Sequence, residues 1–217
     1  MSLKYQIVPV TSFAQNCSIV WCDETMKGIV IDPGGDVKQL TMLIQELRVD
    51  IVNILLTHGH LDHVGGTQPL AQEFGVEIIG PHKADSFWLQ GLEGQSKMFG
   101  FPLTESFEPQ HWLLDGDEVT FGNQTFAVYH TPGHTPGHVV FYSKEAQLVF
   151  VGDVLFAGGI GRTDFPQGDH ETLIRSIKTK LWPLGNDVGF VPGHGPISTI
   201  GRERRTNPFV ADEMPLY

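Results

Sequence analysis

The feature that most constrains this chain is a cluster of imidazole and carboxylate groups directly after the apolar run at residues 51–56. The cluster consists of His58, His60, Asp62 and His63. An extended segment points alternate side chains to the same side, so His58 and His60 can converge on one ion. Asp62 and His63 are neighbours and would point apart, which predicts two adjacent metal sites rather than one. Imidazole and carboxylate ligands suit zinc, iron or manganese.

Apolar patterns along the rest of the chain predict alternating strands and helices. Runs of strand length occur at residues 4–10, 17–22, 28–31, 51–56, 76–79, 118–121, 124–130, 139–142, 148–151 and 188–191. Helices are predicted at residues 37–47, 68–74, 169–181 and 201–205. This alternation indicates a layered α/β domain. Residues 81–110 are rich in aromatic residues without a clean period, and a wall over the site, a subunit contact and a small satellite core all stay open there.

Charge and cysteine content narrow the function classes. The 217 residues contain 14 Lys and Arg against 25 Asp and Glu, a formal net charge of -11. Because a surface that tracks phosphates is normally basic, nucleic acid is disfavoured as a partner. We expect no membrane partner, since no apolar run approaches the ~20 residues of a span and the N-terminus lacks the apolar core of a signal peptide. Cys17 and Cys22 would lie about 16 Å apart on one strand, beyond disulfide reach, so we expect a reduced, cytoplasmic protein.

Acid or imidazole groups recur where later strands end. His134, Asp153 and His194 each follow a predicted strand, as His58 does. Layered α/β folds commonly place their sites at the carboxyl ends of strands. We therefore expect these four strand ends to meet.

Together these residues divide into two sets of three ligands: His58, His60 and His134 in one set, and Asp62, His63 and His194 in the other. Asp153 can bridge two ions through its carboxylate oxygens. Catalytic metal sites keep a position open for water, and ions about 3.5–4 Å apart can share a hydroxide, which forms near pH 7. The sequence thus predicts a two-metal centre that makes a nucleophile at neutral pH.

In chain order, the motifs Thr-His-x-His-x-Asp-His, Pro-Gly-His, Gly-Asp and Gly-His resemble those of the metallo-β-lactamase superfamily. The resemblance covers almost the whole chain and implies an α/β fold, a four-layer αβ/βα sandwich of two mixed sheets with outer helices. It implies two divalent metal ions at one edge between the sheets, with zinc as the first choice and iron or manganese accepted by the same ligands. Since no low-complexity linker divides the chain, residues 1–217 are expected to form one hydrolase domain.

Within that superfamily the chain looks most like glyoxalase II in its short bacterial form. Two stretches carry this resemblance: Thr-Pro-Gly-His-Thr-Pro-Gly-His at residues 131–138 and Gly-Gly-Ile-Gly-Arg-Thr-Asp-Phe at residues 158–165. The resemblance implies hydrolysis of a small-molecule thioester, S-D-lactoylglutathione, to D-lactate and glutathione. Asp62 and Asp153 would position the hydroxide that bridges the metals.

Two departures from glyoxalase II bear on the substrate contacts. The chain ends before that family's helical C-terminal extension, and Gly195 stands where the family has a Tyr after the last Gly-His. Arg162 lies at the position of a basic residue that contacts glutathione. Arg202, Arg204 and Arg205 can replace the lost contacts through bidentate pairing with carboxylates, or can form only a solvated helix face.

Two alternatives to thioester hydrolysis stay open. A persulfide dioxygenase with one iron shares the Gly-Arg-Thr-Asp-Phe stretch, but that branch usually lacks a His at the position of His138, which favours hydrolysis. His138 is expected to orient the metal ligands, although an ordinary strand residue fits the spacing equally. A non-catalytic, metal-stabilised binding module is the alternative from another class, and a complete ligand set with an open coordination position argues against it. The sequence leaves the oligomeric state open.

Overall fold

Residues 3–79 form a five-stranded mixed sheet in the computed structural model, which describes residues 2–212. Its strands, in order of pairing, are β1 (Leu3–Val10), β2 (Gln15–Cys22), β3 (Lys27–Ile31), β4 (Asp50–Leu55) and β5 (Glu77–Ile79). The first three pair antiparallel through short turns, whereas β3, β4 and β5 run parallel. Parallel neighbours need crossover connections. The helices in these crossovers are α1 (Val37–Leu47), α2 (Leu61–Val64) and α3 (Thr67–Phe74).

Two short helices, α4 (Ser86–Gln90) and α5 (Leu92–Phe99), lead to the second half of the chain. Its strands are β6 (Glu118–Phe121), β7 (Gln124–His130), β8 (Val139–Ser143), β9 (Leu148–Gly152), the small hairpin of β10 (Leu155–Phe156) and β11 (Gly159–Ile160), β12 (Gly189–Pro192) and β13 (Ser198–Thr199). The six-stranded sheet has the order β13-β12-β9-β8-β7-β6 and is antiparallel except where β12 runs parallel to β9. Helix α6 (His170–Ser176) lies in that parallel crossover, and α7 (Ile200–Thr206) follows β13.

Strand alternation sorts the apolar side chains into three layers of core. Ile29 of β3 packs between the two sheets in the same cluster as Phe150 of β9. Its neighbour Val30 points to the opposite face and packs in a cluster with Leu40 of α1. A third cluster on the second sheet's outer face contains Leu173 of α6. The expected four-layer sandwich of two mixed sheets with outer helices is therefore confirmed.

Two regions differ from the sequence expectation. Residues 81–110 contain α4 and α5, which Gly91 separates; α4 has only five residues and α5 contains Gly94, so neither shows a clean helical period. The helix expected at residues 169–181 is an α-helix only to Ser176 and continues as a π-type turn over Ile177–Leu181. Asp169 caps it as expected, since its Oδ1 accepts a hydrogen bond of 2.7 Å from the Thr172 amide.

No helix within residues 2–212 is long and apolar enough to cross a membrane. Met1 and residues 213–217 lie outside the described residues. The single hydrolase domain expected over residues 1–217 stays a prediction.

Candidate metal centre

Four strand ends meet at one edge of the two sheets and carry the predicted site residues. His58 follows β4, His134 lies in the loop after β7, Asp153 follows β9, and His194 follows β12. Backbone hydrogen bonds hold these loops together, such as the 2.7 Å bond from the Gly193 amide to the Gly152 carbonyl. The expected convergence of the four strand ends is therefore observed.

The first triad consists of His58, His60 and His134, all buried, with their facing nitrogens within 4.8 Å of one another. His60 Nδ1 lies 3.1 Å from His58 Nε2 and 3.0 Å from His134 Nε2. Burial, followed by neighbouring imidazoles, lowers the pKa of His58 and of His60 well below the ordinary value. Burial also lowers the pKa of His134. These three rings are therefore neutral at physiological pH.

The hydrogen-bond partners of the first triad assign its tautomers. His134 Nδ1 donates to the Arg162 carbonyl at 2.7 Å, so its Nε2 carries a lone pair. The Thr57 hydroxyl donates to Asp32 Oδ2 at 2.6 Å and can therefore only accept from His58 Nδ1, at 3.0 Å. Two lone pairs consequently face His60 Nδ1, whose single proton can serve one of them. A divalent cation satisfies all three nitrogens, so the donor set fits a metal ion.

The second triad consists of Asp62, His63 and His194 and is more open than the first. His194 Nε2 lies 3.1 Å from Asp62 Oδ2, and His63 Nε2 lies 3.8 Å from the same oxygen. The side chains of His194 and Asp62 are 29% and 16% exposed, whereas that of His63 is fully buried. Although burial alone lowers the pKa of His63, the carboxylates of Asp153 and Asp62 raise it above the ordinary value.

Asp153 lies between the two triads. Its Oδ1 is 3.4 Å from His63 Nε2, and its Oδ2 is 3.6 Å from His134 Nε2 and 3.7 Å from His194 Nε2. Burial acts to raise the pKa of this carboxyl, but His63 and the other imidazoles hold it well below the ordinary value. Gly193 leaves room for this arrangement, because a Cβ there would overlap both the Asp153 carboxylate and the His63 ring.

His138 contacts both the first triad and the Asp153 backbone. Its Nε2 accepts a 3.1 Å hydrogen bond from the Asp153 amide, and its ring stacks on that of His58 with centroids 4.7 Å apart. The residue is fully buried. These contacts fit the expectation that His138 orients the ligand loops.

Asp32 is a site residue that the sequence interpretation missed. Its carboxylate accepts hydrogen bonds from the Thr57 amide (2.8 Å), the Thr57 hydroxyl and His63 Nδ1 (2.9 Å). It thereby fixes His63 with Nε2 facing Asp62 and Asp153. Its position in the sequence could have identified it as a site residue, because Asp32 directly follows β3, the strand that pairs with β4.

Asp85 is a second residue that the sequence interpretation missed. Its buried carboxylate accepts hydrogen bonds from the Gly59 amide (2.9 Å), the Thr135 hydroxyl (2.7 Å) and the Gly137 amide (2.6 Å). Burial raises the pKa of Asp85 to about 6 against these three hydrogen bonds, which lower it. A Cβ at Gly137 would overlap this carboxylate. Asp85 thus ties together the two loops that carry the first triad.

A pocket of about 600 Å³ opens onto both triads. Its apolar lining includes Phe13, Met98, Phe99, Phe101, Phe156 and Phe165. Arg162 also lines the pocket, but its Nε and Nη2 bind Asp164 at 2.9 and 2.8 Å, and its guanidinium covers the Phe165 ring at 4.4 Å.

The C-terminal arginines do not contribute to this pocket in the described residues. Arg202 and Arg205 are exposed on α7, outside its lining. Arg204 binds Asp212 and Asn186. A substrate role for Arg202 and Arg205 therefore stays a prediction without geometric support.

Comparison with known proteins adds a family and two kinds of relative. A model of the metallo-beta-lactamase superfamily matches residues 10–194. Over 209 residues the chain is 49% identical to a protein of Haemophilus influenzae named hydroxyacylglutathione hydrolase GloC, which covers 96% of this chain and 98% of that protein.

Two solved structures share the whole architecture. The crystal structure of BLEG-1 B3 metallo-beta-lactamase is 36% identical with a TM-score of 0.89, covering 95% of this chain and 99% of that one. The crystal structure of TTHA1623 in a di-iron-bound form is 36% identical with a TM-score of 0.86, covering 94% of this chain and 100% of that one.

Proposed function

The chain belongs to the metallo-β-lactamase superfamily, and on that premise we propose that it is a metal-dependent hydrolase of hydroxyacylglutathione thioesters, S-D-lactoylglutathione among them. The observation that carries the proposal is Asp153 lying between two triads of metal-competent side chains at the base of a pocket. The 49% identity to a hydroxyacylglutathione hydrolase over nearly the full length supports the reaction class. The reaction forms a bond between water oxygen and the acyl carbon, breaks the C–S bond, and returns a proton to the departing thiolate.

We assign one divalent ion to each triad, with Asp153 between them, and zinc as the metal. Iron and manganese suit the same ligands, and the relative TTHA1623 has a di-iron-bound form. When bound, the ions would supply Lewis acidity that polarises the thioester carbonyl and lowers the pKa of a water molecule. The carboxylates of Asp62 and Asp153 lie beside the triads, so they would accept hydrogen bonds from the attacking water and orient its lone pair.

The groups behind the ligands keep the imidazole lone pairs aimed inward. Asp32 accepts from His63 Nδ1, and the Phe13 carbonyl accepts from His194 Nδ1 at 3.2 Å. Such oriented partners raise ligand basicity and fix the tautomer. The chain's own residues thus provide a preorganised acceptor set in which little has to move during the reaction.

Three observations favour hydrolysis over the alternatives. A one-iron dioxygenase would need only one set of ligands, whereas a second triad and Asp153 are present here. His138, which that branch usually lacks, contacts His58 and Asp153. A binding module would not need an open pocket at the metal ligands. The partner this proposal requires is the small-molecule thioester, while cytoplasmic location and the exclusion of nucleic acid and membrane stay predictions.

Metal stoichiometry measured beside turnover tests the proposal. We expect two metals per chain by elemental analysis and loss of thioester absorbance with S-D-lactoylglutathione. One iron per chain with oxygen consumption on glutathione persulfide would replace hydrolysis by the dioxygenase reaction. Cleavage of a chromogenic cephalosporin without thioester cleavage would move the proposal to the activity named for BLEG-1. Metal binding without any turnover would favour the binding module.

Two alanine variants supply the control for that measurement. His134→Ala removes a member of the first triad, and we expect it to abolish thioester cleavage. His111→Ala removes an exposed imidazole that pairs with Glu77 at 3.2 Å, and we expect it to leave turnover unchanged. If His134→Ala retained full activity, the ligand assignment would be wrong.

A further inference from the structure

The pocket above the triads has an apolar wall that the proposed hydrolysis of a small hydroxyacyl group does not use. We call Phe13, Met98, Phe99 and Phe101 the outer wall. Phe13 makes edge contacts with Phe101 and Phe99, at centroid distances of 5.0 and 6.0 Å. The wall joins the turn between β1 and β2 to the end of α5, so two separate chain segments build one aromatic surface.

The outer wall is unusually exposed for side chains of this kind. Met98 is 78% exposed, Phe13 45% and Phe99 42%. Exposed apolar groups clustered at the rim of a cavity mark a surface that a ligand covers. These three residues face the same pocket as both triads. A ligand that fills the pocket down to the metal centre therefore also covers this apolar surface.

Apolar surface also reaches the metal ligands themselves. The Trp88 ring lies 4.4 Å from that of His60, and the Phe165 ring lies 5.0 Å from it. Phe156 lies 6.4 Å from His194. When the acyl carbon of a thioester lies at the triads, a substituent on that carbon contacts these aromatic rings.

Gln95 and Arg162, two polar side chains that line the pocket beyond the triads, already have partners. Gln95 Oε1 accepts from the Leu61 amide, and its Nε2 donates to the Trp88 carbonyl, both at 2.9 Å. Arg162 is bidentate with Asp164, so a ligand carboxylate would only replace one carboxylate by another on an exposed guanidinium, which is worth little. The Trp88 indole nitrogen has no acceptor among residues 2–212 but lies below the surface.

Glutathione carries two carboxylates and an ammonium group. Outside the metal centre, the described residues that line the pocket offer these groups no unpaired side chain of opposite charge. Those groups therefore remain towards solvent. The cavity, of about 600 Å³, has room for an aryl group on the acyl carbon beside the sulfur.

We propose that the pocket selects thioesters by an apolar acyl group, aryl or branched alkyl, which the outer wall and Phe165 cover. This rests on the proposed function and narrows its substrate class from small hydroxyacyl groups to bulky ones such as D-mandeloyl.

Binding of thioethers that cannot be hydrolysed tests the wall apart from turnover. Calorimetry on the zinc-loaded protein would compare S-benzylglutathione with S-methylglutathione, which differ only in the group next to sulfur. We expect the benzyl compound to bind about 10-fold more tightly, because one face of its phenyl ring becomes buried. Phe99→Ala should reduce that ratio to about 2-fold.

Leu103→Ala is the matched control, because Leu103 is 66% exposed, lies four residues away and does not line the pocket. It should leave the benzyl-to-methyl ratio unchanged. Both substitutions are at exposed positions, and circular dichroism would check that each variant folds. Equal affinities for the two thioethers, or equal losses in the two variants, would overturn the inference.

Turnover separates this inference from the proposed function. We expect kcat/KM to be about 10-fold higher for S-D-mandeloylglutathione than for S-D-lactoylglutathione, and Phe99→Ala to raise KM more for the mandeloyl compound than for the lactoyl compound. Equal cleavage of the two would refute the acyl preference and leave the hydrolase function standing. Cleavage of neither would refute the hydrolase function, and the thioether ratio would still decide whether the wall binds an apolar group.

Discussion

The two triads differ in burial, in charge and in what anchors them. The first is a neutral set of three buried imidazoles, anchored by a threonine hydroxyl and a backbone carbonyl. The second contains a carboxylate, is partly open to the pocket, and is anchored by the buried carboxylate of Asp32. Burial lowers the imidazole pKa values in the first, whereas carboxylates raise that of His63 in the second.

From this difference we expect the two ions to exchange with solvent at different rates. Because the first is enclosed, we expect its ion to exchange slowly with solvent. The second is more exposed, so we expect its ion to exchange faster. Asp153 contacts both triads, and we expect this carboxylate to link them into one centre.

The largest effect is expected from Asp153→Ala, which removes the shared group. Losing several kcal/mol of charge stabilisation corresponds to a fall in kcat of about 10³-fold or more. Elemental analysis after dialysis should find weakened retention of both ions. Asp50→Ala, at an exposed position at the start of β4, is the control and should change neither quantity. If Asp153→Ala lost only one ion, the carboxylate would belong to one triad and the two would be independent.

Removing one ligand from each triad should separate the two ions. We expect wild-type zinc release to a chromophoric chelator to have a fast and a slow phase. His194→Ala should remove the fast phase and His134→Ala the slow one, because only the first triad is enclosed. Each variant should lose about 10²- to 10³-fold in kcat, since one source of Lewis acidity goes with each ion. Loss of the same phase in both variants would refute the difference in exchange.

Asp32→Ala should weaken metal binding at the second triad more than at the first. It leaves His63 Nδ1, a ligand ring of the second triad, without its acceptor, whereas at the first triad it removes only the partner of Thr57, whose hydroxyl can still accept from His58 Nδ1. Loss of such an oriented partner typically costs 10–100-fold in metal affinity or activity. Competition titration with a chelator would measure the two affinities, and Asp32→Asn, which keeps one acceptor oxygen, should give an intermediate value. An equal loss at both triads would mean that Asp32 supports the whole edge of the sheets rather than His63.

His58, His134, Asp153 and His194 were predictable because each follows a short apolar run of strand length. The alternation of strands and helices indicated a layered fold, and such folds place their sites at the carboxyl ends of strands. Asp32 was not identifiable as a site residue, since Asp-Pro-Gly-Gly is a turn sequence and its bond to His63 crosses 31 positions of the chain.

Asp85 and the pocket wall were unpredictable for a different reason. Asp85 lies in the aperiodic stretch at residues 81–110, and its partners are 26, 50 and 52 residues away. Met98 and Phe99 belong to a helix of eight residues that a glycine precedes and a glycine ends. Substrate contacts depend on which loops the folded sheets bring together, and local sequence carries little of that information.

Asp85 supports only the loops of the first triad, and the pH dependence of the stability of Asp85→Asn tests that role. Burial raises the pKa of Asp85 from 3.8 to about 6, so folding favours its protonated form. Its contribution to stability is therefore complete below pH 4 and is lost as pH rises through 6, a change of about 3 kcal/mol for a shift of about two pKa units. Asparagine does not titrate.

Chemical denaturation of both metal-free proteins between pH 4 and 7 measures this effect. The wild-type free energy of unfolding should fall relative to that of Asp85→Asn across the interval, by about 3 kcal/mol in total. Zinc release at pH 7.5 should show a faster slow phase in the variant, because asparagine offers one acceptor oxygen to three donors. The fast phase of the second triad should not change, since Asp85 contacts only the loops of the first. A parallel pH dependence in the two proteins would mean that the three hydrogen bonds outweigh burial and keep Asp85 ionised throughout.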